Sequence, residues 1–316
     1  MHPHIAITLG DPRGIGPEVA FRSVLDLKTE LRHLPITFFG PEETRGMVPS
    51  EHEFIAVGAW EGTPTGAGRI AALAIEQAVT GVLQGLFHAL VTAPVHKPSL
   101  RSTGWDVPGQ TEMLQKLTGC EPVGMLMAAE KTGWGNPLKV LLATTHYPLR
   151  EALSLLTEEL LIEQIMLLYE ALQSDWGLVT PRIALCGLNP HASDDGLFGD
   201  EEALIFTPAV KRAREMGVDV YGPLSADTVF HRALTGSFDA VVAPYHDVGM
   251  GAFKTASFGK GVNVTLGLPF VRTSPDHGTA FDIAGTSSAD ASSMVEAVRM
   301  AVYLTKNRFS KISMDV

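Results

Sequence analysis

Four histidines stand just past the ends of four apolar, strand-like runs. HALVTAP leads to His96, KVLLATT to His146, RIALCGLNP to His191, and DAVVAPY to His246 followed by Asp247. In an open parallel sheet, ligands bind in the crevice outside the carboxyl ends of the strands. Four imidazoles placed there could converge on one crevice. Imidazole suits zinc and its first-row neighbours, and three such donors leave coordination positions open for a substrate. The competing reading is that each histidine bonds a loop carbonyl or faces solvent. The separations 191 − 146 = 45 and 246 − 191 = 55 match no short metal motif.

A second feature is the stretch from Val248 to Pro275, which holds no Asp or Glu but contains Lys254, Lys260, Asn263 and Arg272. Arg grips a phosphate or carboxylate through two parallel bonds, and Lys adds a point charge, so this stretch reads as an anion site. The alternative is that the two lysines are ordinary surface residues. Gln110 and Thr111 stand just before a helical segment, where donors capture an anion or simply cap the helix. Two glycine-rich strings compete as phosphate loops. Gly66-Ala67-Gly68 matches G-x-G-x-x-A but does not directly follow a strand, so it reads as a helix start. Gly10-Asp11-Pro12-Arg13-Gly14-Ile15-Gly16 lies between a strand and a helix, with Pro17 suited to the first helical turn; it reads as an anion loop or as a plain tight turn.

Positioning these residues requires a sheet. Strands are expected at His4–Leu9, Ile36–Phe39, Ala89–Thr92, Lys139–Thr144, Arg182–Gly187, Ala240–Ala243 and Val262–Leu266. They are continuous apolar runs, as when helices cover both faces. Helices are expected from a Thr157 cap through Leu172, over 66–83, 207–216 and 290–304. The alternation indicates an α/β fold with a mostly parallel sheet. The chain has 316 residues, 45% of them hydrophobic, which excludes disorder and suits two domains. Its 24 Lys and Arg against 35 Asp and Glu, net −11, argue against nucleic acid. Two cysteines, no membrane-length apolar run and no leader pattern point to the cytoplasm.

The strings GDPRGIGPE, TAPVHK, PGQTE, ATTHYPLR, GLNPHA, GDEEA, GPLSADT, YHD and GKGVNVTLGLPFVRTSPDHGTAFDIAG span residues 10 to 285 in order. Together they resemble the 4-hydroxythreonine-4-phosphate dehydrogenase family of pyridoxal phosphate biosynthesis. GIGPE and HGTAFDIAG are also similar to the isocitrate and isopropylmalate dehydrogenases. The resemblance implies a two-domain fold of that group with a cleft between domains: residues 1–120 plus 281–316, and residues 121–280 carrying most metal and anion ligands. It implies a homodimer whose active site lies between subunits, with metal ligands drawn from both. The ligands would be His146, His191 and His246, holding zinc, magnesium or cobalt. Substrate would contact Gln110, Thr111, Lys254, Asn263 and Arg272. Residues His277, Gly278, Thr279 and Asp282 would lie beside NAD or NADP. His96 then leaves the ligand set, and Lys97 lines the cleft. The family usually has His-Thr where this chain has Gln110-Thr111; Gln donates to an anionic oxygen but carries no charge.

The implied reaction is oxidation, with decarboxylation, of 4-phosphohydroxy-L-threonine to 3-amino-2-oxopropyl phosphate. Alternatives are 4-phospho-D-threonate, 4-phospho-D-erythronate and, more distantly, a terephthalate dihydrodiol. Asp247 and Lys254 are the candidate proton acceptors. Two rivals stand beside this: a metallohydrolase using the histidines and Asp247 to activate water, and a non-catalytic binder of phosphorylated metabolites.

Overall fold

The computed structural model describes residues 3–312, with the side chains of residues 311 and 312 excepted. In chain order the elements begin with β1 (Ile5–Thr8), α1 (Gly16–Asp26), β2 (Ile36–Gly40), β3 (Glu53–Ala56), α2 (Pro64–Leu83), β4 (Ala89–Thr92), α3 (Lys97–Arg101) and α4 (Gln110–Thr118). There follow β5 (Gly124–Ala129), β6 (Leu138–Leu142), α5 (Leu149–Leu155), α6 (Glu158–Ser174), β7 (Arg182–Cys186), α7 (Thr207–Glu215), β8 (Asp219–Leu224) and α8 (Ala226–Leu234). The remainder are β9 (Ala240–Ala243), α9 (His246–Ser257), β10 (Val262–Leu266), β11 (Val271–Pro275) and α10 (Ser292–Ile312). Both are α/β units with mostly parallel strands, as expected.

The first unit comprises Met1–Glu121 and Val262–Val316. Its strands run β3-β2-β1-β4-β11-β10. All neighbours are parallel except β10 and β11, which form an antiparallel pair with Thr265 opposite Arg272. Strands β1, β2 and β4 are buried at every residue. Helix α2 packs on β1, β2 and β4, while α10 packs on α1, β4, β10 and β11. Burying both faces explains why these strands are unbroken apolar runs in sequence.

The second unit, Pro122–Gly261, orders its strands β5-β6-β9-β7-β8. Strands β6, β9, β7 and β8 are parallel and β5 is antiparallel to β6. Its core gathers Met127, Val140, Leu142, Ala184, Val229, Val241 and Phe253. Helix α6 starts as its sequence dictates: Thr157 is extended and its side-chain oxygen accepts from Leu160 N at 3.1 Å. The stripe Leu161, Ile165, Leu168 and Leu172 is fully buried.

The division differs from the expected one in residues 262–280, which belong to the first unit. The reason is backbone pairing: β11 bonds to β4, with Val271 opposite Ala89, and carries β10 with it. As a result Gln110, Thr111, Asn263 and Arg272 are all in the first unit, and Lys254 with the three candidate metal ligands is in the second. Four strands are absent from the sequence pattern. β3 and β8 sit at sheet margins and alternate or carry polar residues. β5 is GMLMAA, poor in β-branched residues, and β11 is VRTSP, polar throughout its middle.

Replacing the cap tests the local argument. Thr157→Ala is expected to cost about 1 kcal/mol, lowering Tm by roughly 2–4 °C in a thermal melt, while Thr157→Ser holds within a degree.

Candidate active site

In the first unit, the side chain at Arg272 enters the sheet interior and is 2% exposed. Its position on β11, beside β4 and β10, dictates its neighbours. One terminal nitrogen donates to Thr265 Oγ1 at 2.9 Å; the other donates to Thr92 Oγ1 at 2.6 Å and to Gln110 Oε1 at 3.3 Å. Among the described residues its Nε has no hydrogen-bond partner, and the buried Asn263 Oδ1 has none either. Burial pushes the guanidinium pKa down to about 10, with Glu112 opposing the shift, so the group is still charged at neutral pH. Among the described residues its hydrogen-bond partners are three neutral oxygens. Glu112 attracts the guanidinium without bonding to it, and a buried charge with no hydrogen-bonded counter-charge is costly, a cost that an anionic ligand relieves.

Gln110 opens α4 and is held at both ends of its amide: Nε2 donates to Ala93 O at 3.2 Å while Oε1 accepts from Arg272. Thr111 is half-buried in the same helical turn. The helix follows the N-cap Gly109, whose backbone is fully extended.

The second unit assembles two of its three candidate ligands. Thr144 Oγ1 donates to Pro244 O at 2.8 Å and Ala143 N to Ala243 O at 2.9 Å, which locks the exits of β6 and β9 together. His146 and His246 consequently face each other, with ring centroids 5.7 Å apart and planes at 42°. His246 begins α9 and places Nδ1 2.7 Å from Asp247 Oδ1. A carboxylate on Nδ1 selects the tautomer whose Nε2 lone pair is free to ligate. Asp247, a candidate proton acceptor from sequence, is thus hydrogen-bonded to His246. Lys254 is half-buried on α9, eight residues beyond His246 and so on the same helical side.

His191 is placed differently. Residues His191, Ala192, Ser193, Asp194 and Asp195 all have positive φ, at 53°, 54°, 76°, 45° and 56°. Each costs about 1–2 kcal/mol in a non-glycine residue, so the turn must be held from outside. Glu202, 3% exposed, does this: its carboxylate accepts from Leu188 N, Asn189 N and Asn189 Nδ2 at 2.7–2.8 Å. Ser193 Oγ donates to Gly199 O. The turn directs His191 Nδ1 to 3.7 Å from Asp227 Oδ2. Among the described residues, no three His, Cys, Asp or Glu side chains gather closely enough to hold a metal ion. One chain thus pairs His146 with His246 and keeps His191 apart. Glu202 lay in the acidic GDEEA string, but nothing local showed that it would be buried under the turn.

His277, Gly278, Thr279 and Asp282 lie in the turn after β11. Gly278 and Asp282 are exposed, and the buried His277 Nε2 has no hydrogen-bond partner among the described residues. The Gly66 string is a helix start: Thr63 caps α2 by accepting from Gly66 N at 3.0 Å, and a Cβ at Gly68 would sit 2.1 Å from Ser99 O. His96 bonds Ser99 Oγ at 2.8 Å, which accounts for it without a ligand role.

The family described as pyridoxal phosphate biosynthetic protein PdxA matches residues 25–301. The chain belongs to that family. It is 41% identical to a 4-hydroxythreonine-4-phosphate dehydrogenase from Paracoccus denitrificans, over 96% of this chain and 98% of the relative. A crystal structure of the enzyme of that name from Klebsiella pneumoniae is 36% identical, covering 96% of this chain and 99% of that one, with a TM-score of 0.83. A β-decarboxylating dehydrogenase from Thermococcus kodakarensis, 16% identical with a TM-score of 0.56 over 95% of this chain and 81% of its own, shares the fold. Among the described residues no helix is long and apolar enough to cross a membrane.

The unpaired charge makes an opposite-sign prediction for Arg272→Met. Without ligand, the variant is expected to melt no lower than the parent, because a buried charge with no hydrogen-bonded counter-charge has gone. Inorganic phosphate should raise the parent's Tm through preferential binding to the folded state and leave the variant unmoved. A fall of more than about 5 °C in the phosphate-free variant would show that the guanidinium's bonds hold the fold instead.

Proposed function

We propose that this protein catalyses the NAD-dependent oxidation of 4-phosphohydroxy-L-threonine at its secondary alcohol, followed by loss of CO₂ to yield 3-amino-2-oxopropyl phosphate, in the cytoplasm. The observation that carries this reading is Arg272, a buried cation whose described hydrogen-bond partners are neutral, together with Asn263 and its unpartnered oxygen. An anionic, hydrogen-bond-donating substrate satisfies both.

Arg272, Gln110 and Thr111 hold the substrate's anionic groups, and Asn263 Oδ1 accepts from an amine or hydroxyl; this fixes orientation before any bond breaks. Asp247 or Lys254, or a water they orient, takes the alcohol proton as the carbon's hydride leaves. His146, His191 and His246 would hold a divalent cation, zinc, magnesium or cobalt, which when bound supplies Lewis acidity toward the alcohol oxygen. The histidine pair fits such a group: both offer imidazole nitrogens, and Asp247 bonds His246 through Nδ1, leaving Nε2 on the other side of the ring. His277, Gly278, Thr279 and Asp282 would line the nicotinamide cofactor, which accepts the hydride. The acid formed carries its ketone β to the carboxylate, so CO₂ leaves with the electron pair delocalised onto the carbonyl.

The separation of His191 from the other two supports a homodimer in which a second copy completes the ligand set. Tyr147, Leu149, Leu153 and Leu155 beside His146, and Leu197, Phe198 and Leu204 beyond His191, are exposed apolar side chains that such an interface would cover.

Gln110 favours a second reading. Its oxygen, not a cationic ring, faces Arg272, so a substrate with a different charge arrangement, 4-phospho-D-threonate or 4-phospho-D-erythronate, fits the same cradle. NADH formation at 340 nm across the three phosphorylated acids decides between them, and zero NADH with all three would overturn the dehydrogenase reading. The shared metal site has its own test. His146→Ala and His191→Ala are each expected to be inactive, while mixing them recovers about one quarter of parental activity if ligands come from two subunits, because half the dimers are mixed and each has one intact site. No recovery after verified exchange would place all ligands in one chain.

A further inference from the structure

The Gly10–Gly16 string was open to two readings, and its surroundings support a third. None of its glycines faces open space. A Cβ at Gly10 would lie 2.2 Å from Pro94 O, at Gly16 2.3 Å from Leu9 O, and at Gly14 2.6 Å from Thr279 O and 2.9 Å from Thr279 Cβ. Real Cβ atoms do not approach that closely, so Gly14 is glycine because the segment after β11 is docked onto it. The docking has its own hydrogen bond, Ile15 N to Thr279 O at 2.9 Å.

Arg13 adds a second anchor. Asp11, wholly buried, accepts from Arg13 N and Nε at 3.0 Å each and from a terminal nitrogen at 2.6 Å, which fixes the guanidinium plane. The same nitrogen donates to Ser99 Oγ at 2.7 Å. The guanidinium lies over the ring of Phe281, 4.8 Å from its centroid, and His96 meets that ring edge-on at 5.2 Å. Phe281 is 40% exposed, so hydrophobic burial alone does not hold it; the cation and the imidazole do.

We propose that Arg13 is a positioning residue: the Asp11–Arg13–Phe281 clamp, with Gly14 as its seat, holds the 277–282 segment in the conformation that receives the nicotinamide cofactor. The inference rests on the reading that His277 and Asp282 line that cofactor. It assigns a task to four residues outside the substrate, metal and cofactor sets: Asp11, Arg13, Gly14 and Phe281. When the clamp is broken, the segment samples other conformations, and apparent affinity falls with the competent fraction.

The test measures NADH dissociation constants by fluorescence titration and hydrogen exchange of the 277–285 backbone in the dimeric, substrate-free enzyme. Phe281→Ala leaves the Asp11–Arg13 pair intact and so avoids stranding a buried carboxylate. It is expected to raise the NADH dissociation constant about tenfold, by reducing the competent fraction to roughly one tenth, and to accelerate exchange across 277–285. In kinetics the effect should fall on the cofactor KM more than on kcat. Phe281→Tyr retains the ring and should restore affinity; Arg13→Lys, which keeps charge but loses the fork, should fall between. His277→Ala serves as the control for the underlying reading. If His277→Ala weakens NADH and Phe281→Ala does not, the clamp is overturned while the cofactor reading stands. If neither weakens NADH, the cofactor reading fails and the clamp's role fails with it.

Discussion

Arg272 carries a positive charge into the middle of a sheet, where burial lowers its pKa to about 10 and still leaves it ionised at neutral pH. An isolated charge in that setting costs several kcal/mol. The first unit limits the cost with Thr92, Thr265 and Gln110, groups that arrive from β4, β10 and α4. Keeping those groups neutral is the constraint on which the anion cradle depends: a carboxylate in any of the three positions would form the ion pair internally and displace a ligand. The antiparallel β10–β11 pair belongs to the same design. Its register sets Thr265 opposite Arg272 and Asn263 opposite Ser274, which puts cradle residues on adjacent strands.

The second unit accepts strain for position. Five successive left-handed residues hold His191 in a conformation that none of them prefers, and Glu202 compensates from beneath by taking three N–H donors. Such strain persists where surrounding bonds over-determine it, commonly at functional sites. By contrast, His146 and His246 meet through ordinary backbone and side-chain bonds between the exits of β6 and β9.

Glycine spacing has a similar lesson. Gly66-Ala67-Gly68 and Gly10 to Gly16 both resemble loops opened for phosphate, yet their missing side chains make room for protein backbone: Ser99 in one case, Leu9, Pro94 and Thr279 in the other. A glycine motif records that something approaches closely. Only the fold says whether it is ligand or chain.

Much of the architecture was legible in the sequence because burial on both faces writes itself into composition: β1, β2, β4 and β9 are near-continuous apolar runs, and α6 carries its cap and its stripe at helical spacing. The motif strings likewise determined family membership and the candidate residues by type. Strands β3, β5, β8 and β11 were not legible, since margin strands, Met- and Ala-rich strands and an Arg-bearing strand lack that signature. Tertiary structure alone decided that residues 262–280 join the first unit, that Asp247 engages His246, and that Glu202 is buried under the His191 turn. Each depends on pairing between segments distant in sequence, or on a backbone turn direction, and neither leaves a periodic trace. The sequence determined which chemical groups are present; long-range pairing decided which of them meet.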